Sequence, residues 1–219
     1  MALVRGATLL EQLPLDGWAL VEAAVERPED VRGEWIEIDG PTTVAAALRS
    51  RGRWDFDRPR PLDEETWWFR CRLPEVPREP GVRNVLRIGG LATLADVFLD
   101  GRHVLRSENM FHEHRLDLDA LRASEARATS GGPELLLRFA PIAQALAVKR
   151  PRPRWKTRLV SHQQLRWIRT SLVGRMPGWS PPVPPVGPWR PIVLERWSRF
   201  VVESARVRTS VASGDGAVR

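Results

Sequence analysis

Gly89-Gly90-Leu91-Ala92-Thr93-Leu94-Ala95-Asp96-Val97-Phe98-Leu99-Asp100-Gly101-Arg102-His103-Val104-Leu105 runs on into Arg106-Ser107-Glu108-Asn109-Met110-Phe111-His112-Glu113-His114-Arg115-Leu116-Asp117-Leu118. Ala95, Val97 and Leu99 alternate with Asp96, Phe98 and Asp100, the two-residue period of a strand with one buried face. Asp100-Gly101 predicts a two-residue hairpin, because a type I′ turn needs positive φ at both central residues. The strand resumes at 103–105. A linker through Asn109-Met110-Phe111 leads to a third alternation, His114, Leu116 and Leu118 against Arg115, Asp117 and Asp119. This reads as an antiparallel β-meander, with Val82–Ile88 as a further strand beside the Ala95 strand.

The same period recurs on both sides. Strands are expected near 17–21, at 34–38, at 65–73, at 134–139, at 190–195 and at 200–211. Thr42 or Thr43 can cap a short helix over 44–49, since a threonine hydroxyl accepts a free first-turn N–H. Residues 119–122 can form one helical turn. Residues 124–133 are low-complexity and polar, an exposed loop. Residues 142–148 read as a helix stopped by Pro151 and Pro153. Helix-like spacing continues over 155–172, where Leu159, His162, Leu165, Ile168 and Leu172 share one side. Residues 177–191 hold seven prolines and read as an irregular loop. Residues 214–219 read as a frayed tail. Short strands separated by turns, with helices only as insertions, predict an all-β chain folded as a β-sandwich.

Composition sets the limits. The 219 residues are 42% hydrophobic, enough for one β-domain with a real core. A (β/α)8 barrel alone takes about 250 residues, so a sandwich and a barrel do not both fit. The single cysteine, Cys71, excludes an intrachain disulfide and suits a reducing compartment; its place in a strand makes it a core residue. There is no apolar run long enough for a signal segment or a membrane span, so the expectation is a soluble cytoplasmic protein. The net charge of +7 is concentrated: no Asp or Glu lies between Glu134 and Glu195, a gap that holds eleven basic residues.

The central stretch resembles the N-terminal sugar-binding-type (galactose-binding-like) domain of glycoside hydrolase family 2, and within it the β-mannosidases. The residues concerned are Gly90-Leu91-Ala92-Thr93-Leu94-Ala95-Asp96-Val97-Phe98-Leu99-Asp100-Gly101, then Asn109-Met110-Phe111-His112 with Arg115, Asp117 and Leu118. Trp67-Trp68-Phe69-Arg70, Phe139-Ala140-Pro141 and Gly187-Pro188-Trp189-Arg190-Pro191 match further family elements. The resemblance covers roughly 15–200. It implies a jelly-roll sandwich over 1–199, leaving 200–219 as a trailing strand and tail that could open a following domain. It also implies a domain that accompanies a catalytic barrel, binding carbohydrate weakly or packing against that barrel.

A retaining glycosidase needs two carboxyl groups about 5 Å apart. In this family both belong to the barrel, so no catalytic residue is expected here. Asp63-Glu64-Glu65, Asp117 and Asp119 read as solvated surface. The β-mannosidases also carry a Trp-Asp-Trp element that reaches the sugar. Here the anchors Trp167-Ile168-Arg169 and Trp189 flank it without a gap, but Pro177-Gly178, or Trp179-Ser180, stands in place of Trp-Asp, so the sugar-contacting carboxylate is missing. Trp179 can be a stacking platform with Arg169 and Arg175 as donors, or a plug against a partner domain with the arginines solvated. Trp189 joins them as a contact residue. His112 and His114 share a strand face without a nearby third ligand, so neither a metal nor a cofactor is expected. The basic segment 149–175, with Trp155 and Trp167, is the basis of an alternative role, polyanion or nucleic-acid binding.

Overall fold

The computed structural model describes residues 8–123, 132–151, 154–198, 209–212 and 215–218. In chain order the strands are β1 (Thr8–Pro14), β2 (Asp16–Glu22), β3 (Ile36–Glu37), β4 (Trp67–Arg72), β5 (Val82–Ile88), β6 (Leu91–Ala92) and β7 (Ala95–Leu99). They continue as β8 (Arg102–Ser107), β9 (His114–Asp117), β10 (Glu134–Phe139), β11 (Gly187–Pro188), β12 (Ile192–Ser198), β13 (Thr209–Ala212) and β14 (Asp215–Val218). Three short helices intervene: α1 (Val44–Ser50), α2 (Leu118–Ala123) and α3 (Ile142–Ala147).

Six strands form one antiparallel sheet in the order β3-β2-β4-β10-β7-β8, and four form another, β1-β12-β5-β9. One apolar layer lies between them. Leu20, Trp67, Phe69, Cys71, Val97, Leu99, Leu135 and Leu137 come from the larger sheet, and Leu86, Ile88, Ile192 and Leu194 from the smaller. This is an all-β sandwich with helices only in its connections. β4 is apolar almost throughout because both its faces are covered. Its alternate residue, Trp68, packs outward with Val21, Phe98 and Leu136 beneath Val25, Val31 and Trp35.

The expected hairpin is present. Asp100 and Gly101 have φ of 49° and 79°, and Leu99 faces Arg102 across the turn. The Asp100 carboxylate also accepts from the Glu134 amide at 2.8 Å, which ties the turn to the start of β10. Thr43 caps α1, its hydroxyl accepting from the Ala46 amide at 3.4 Å.

The meander is not. β7 pairs with β8 and β10, whereas β5 and β9 pair with each other in the opposite sheet. The chain crosses from one sheet to the other at Gly89-Gly90, where the backbone runs against a neighbouring segment. A Cβ on Gly90 would lie 2.7 Å from Trp189 Nε1 and 2.9 Å from the Met110 carbonyl. Alternation alone does not say in which sheet the next strand lies.

The helix expected over 155–172 is also absent; only Gln163–Trp167 makes a 3₁₀ turn. Leu165 is buried while Leu159 and Leu172 are exposed. The Gln163 side chain accepts from the Thr157 amide at 3.2 Å and donates to the carbonyls of Thr157, at 2.8 Å, and Val160. Such local side-chain bonds offer the backbone an alternative to the helix ladder. The segment is pinned instead by Val160 and Leu165, which pack on Ile142 and Leu146 of α3. Part of the tail is ordered: β13 and β14 pair with each other. Most of the strand expected over 200–211 and most of the polar loop lie outside the described residues. No helix among the described residues is long and apolar enough to cross a membrane.

Candidate functional site

Met110 is the junction of three segments. It is 3% exposed. Its carbonyl accepts from the indole of Trp189 at 2.7 Å, and its amide donates to the Arg169 carbonyl at 2.9 Å. Its sulfur accepts from the Ser171 amide at 2.9 Å. Thr170 in turn meets Thr93 through their hydroxyls at 2.6 Å. Asn109 closes the turn around it, its side-chain oxygen accepting from the Phe111 amide at 3.0 Å. The Asn-Met-Phe-His element thus binds the sheet crossing, the segment after the 3₁₀ turn and the entry to β12 into one unit.

Loop 171–186 leaves this junction and is fastened again at Arg175. That guanidinium pairs with Asp63, and both side chains are largely buried, 8% and 13% exposed. Arg175 therefore does not sit on a solvated face; it staples the loop to the 3₁₀ turn Leu62–Glu64. On both sides of the staple the loop is open, with Val173 at 58% exposure before it and Trp179 at 76% after it. Arg169 is held through its backbone and leaves its side chain in solvent. Trp189 is half-buried, with Arg190 over its ring at 4.3 Å. The four residues singled out in the sequence are therefore differently placed: Arg175 and Trp189 are anchors, and Arg169 and Trp179 project.

Several carboxylates expected at the surface are structural. Asp63 holds Arg175. Asp119 accepts from the Asn84 amide at 2.9 Å and its side chain at 3.0 Å. Asp117 caps the first turn of α2 through the Ala120 amide at 3.0 Å. Glu65 pairs with Arg60 at 2.6 Å, yet its burial outweighs that pairing and holds its pKa above the usual carboxylate range. Glu195, in the middle of β12, was not singled out in the sequence. It accepts from Arg87 at 2.6 Å, Gln12 at 2.9 Å and Trp197 at 3.0 Å. Burial pushes its carboxyl up, but the three donors together outweigh burial and leave it below its ordinary value. Each of these groups is occupied with holding strands and turns in place.

Cys71 is buried, and burial pushes its thiol well above the ordinary range, so it is inert. His112 and His114 stack edge-on at 4.6 Å, and His114 meets the Ser107 hydroxyl at 3.0 Å. Among the described residues no three His, Cys, Asp or Glu side chains converge as a metal site.

Two cavities adjoin at Trp167 and Arg150. One, of about 390 Å³, is lined by Asp96, Arg106, Glu108, Arg138, Gln144 and Trp167, among others. The other, of about 260 Å³, is lined by Trp155, Lys156, Gln164 and Arg166 together with Arg150 and Trp167. The sequence reading missed the first cavity, because its walls come from β7, β8, β10 and α3. Its sequence signals were Asp96 and Arg138, each a charged residue within an apolar run of its strand.

The family model for the glycosyl hydrolase 2 galactose-binding domain-like domain matches residues 18–190. The chain belongs to that family. The domain is 30% identical over 168 residues to a β-mannosidase B from Thermothelomyces thermophilus, covering 68% of this chain and 18% of that protein. It is 25% identical over 206 residues to a β-mannosidase B from Aspergillus clavatus, covering 89% of this chain and 23% of that protein. In fold it is similar to a β-D-mannosidase from Dictyoglomus thermophilum, with a TM-score of 0.61 and 17% identity over 95% of this chain and 25% of that one. It is also similar to a β-glucuronidase from an uncultured Clostridium species, with a TM-score of 0.53 and 16% identity over 98% of this chain and 33% of that one. The chain spans less than a quarter of either mannosidase B, and it corresponds to the galactose-binding-like domain of β-mannosidase-like family 2 proteins.

Proposed function

We propose that this galactose-binding-like domain serves a β-mannosidase-like hydrolase without doing its chemistry, binding carbohydrate weakly and packing against a catalytic domain through loop 171–186. The observation that carries the reading is the loop itself. Its base is locked by Met110, Trp189 and the Arg175–Asp63 pair, while Trp179, Val173 and Leu172 project into solvent. A tip that is apolar and exposed on a fixed base suits a contact surface, because exposed apolar clusters mark places where another surface docks. Residues 200–219 then belong to the start of a following unit, a placement supported by β13 pairing with β14. A cytoplasmic setting fits the single, buried, free Cys71.

A second reading rests on the basic segment. Arg150, Arg154, Lys156 and Arg158 pair with no carboxylate among the described residues, which would suit a polyanion. Binding through such a patch would weaken steeply with salt.

The test is hydrolysis of p-nitrophenyl β-mannoside, with calorimetric titration of mannose and manno-oligosaccharides into the same sample. Absence of turnover with weak saturable binding, insensitive to salt, is expected. Turnover would overturn the non-catalytic reading, and absence of binding would overturn the carbohydrate half of it.

A further inference from the structure

We infer that the carbohydrate site of this domain is the cavity beside Trp167, and that its ligand is a neutral oligosaccharide. The inference rests on the carbohydrate half of the proposed function and moves it away from Trp179.

Four features of the cavity support this. First, its volume of about 390 Å³ falls within the roughly 300–1,000 Å³ of small-molecule sites. Second, Trp167 offers a flat apolar wall that is 42% exposed, and its position is fixed from below. The residue after it, Ile168, packs on the cluster of Ile142, Leu146, Val160 and Leu165 and donates its amide to the Leu165 carbonyl at 3.0 Å. Third, the deepest polar groups are rigid. Arg138 pairs with Asp96 at 3.0 Å and donates to the Val25 carbonyl at 3.2 Å, and both side chains are at most 16% exposed. His103 supports Asp96 from its other side at 3.0 Å. Rigid donors and acceptors beside an aromatic face match a sugar ring, whose hydroxyls both donate and accept and whose C–H face is apolar.

The fourth feature is charge. Arg106, Arg138 and Arg150 are matched by Glu26, Asp96 and Glu108 around the same cavity. That balance favours a neutral polyol over a polyanion, and Gln144, exposed on α3, adds an uncharged donor and acceptor. The adjoining cavity, with Trp155 and Gln164, gives a longer chain a second ring position across Trp167. Trp179 lines neither cavity.

The experiment is calorimetric titration of β-1,4-mannobiose and β-1,4-mannotriose into the parent chain and four variants whose unfolding temperatures match it: Trp167→Ala, Trp167→Phe, Gln144→Ala and Trp179→Ala. The expected result is a loss of affinity of about tenfold or more for Trp167→Ala, partial retention for Trp167→Phe, and a smaller loss for Gln144→Ala. Trp179→Ala should bind as the parent does, and mannotriose should bind more tightly than mannobiose. Binding lost with Trp179→Ala but kept with Trp167→Ala would overturn this inference and leave the carbohydrate reading standing. No binding of either sugar by the parent would overturn both. So would salt-sensitive binding of a single-stranded oligonucleotide, lost with Trp167→Ala, in a parent that binds neither sugar.

Discussion

Trp189 fastens one of the three segments that meet at Met110. Its indole N–H satisfies the carbonyl of a methionine that is itself buried. Trp189→Phe keeps an aromatic ring but removes the donor and part of the ring volume, leaving that carbonyl unpaired, and the lost bond alone costs about 1–2 kcal/mol. Urea unfolding should show that loss with the slope unchanged. Glu195 is more demanding, because three donors converge on a side chain 3% exposed. Glu195→Gln leaves Arg87 without its main counter-charge, and the expected destabilisation is about 3 kcal/mol by the same measurement. His114 gives the residue scale its pH dependence. Burial, helped by neighbouring His112, holds its pKa below the ordinary 6.5. The unfolded chain therefore takes up a proton first, and stability should fall as pH drops below 6.5 toward the folded value. His114→Asn should flatten that part of the pH–stability curve. Glu65 shifts in the opposite sense, its stabilisation being lost as pH rises from 4.5, so it does not mimic the effect.

At the scale of elements, what was legible in the sequence was local. The Asp100-Gly101 turn, the Thr43 cap and the strand at Trp67 to Arg72 each follow from chemistry within a few residues. What was not legible depended on distant partners. β5 has the pattern of a half-buried strand, and nothing in that pattern names β12 and β9 as its neighbours. The stripe at 155–172 has helical spacing, but Gln163 captures the backbone and most of the stripe remains uncovered. Asp63 looked like a surface carboxylate because its arginine lies 112 positions away. The crossing at Gly90 sits between the two cases: the glycine is visible, whereas its close neighbours are not. Gly90→Ala drives a methyl against Trp189 and the Met110 carbonyl, and the expected cost of such overpacking is about 2 kcal/mol. Asp63→Ala leaves a buried guanidinium unpaired, so loop 171–186 should exchange its amides faster and be cut sooner in limited proteolysis, while β4 and β10 remain protected.

At the scale of the molecule, the two sheets form one body that carries the cavity at Trp167 and, a few residues further along the chain, the loop that leaves the Met110 junction. The carboxylates of the sandwich are committed to that body, through Glu195, Asp119, Asp117 and Asp63. Recognition falls to two aromatic residues that the fold positions without covering, Trp167 and Trp179, and to the polar groups that line the cavity beside Trp167. The most direct measurement of this division is the set of indole N–H resonances during titration with mannotriose, with Trp167 assigned from Trp167→Phe. A saturable shift is expected at Trp167, with Trp18, Trp67 and Trp189 unmoved because their N–H groups are bonded to the Leu15, Leu62 and Met110 carbonyls. A shift centred on Trp179, or no shift at any indole, would contradict it.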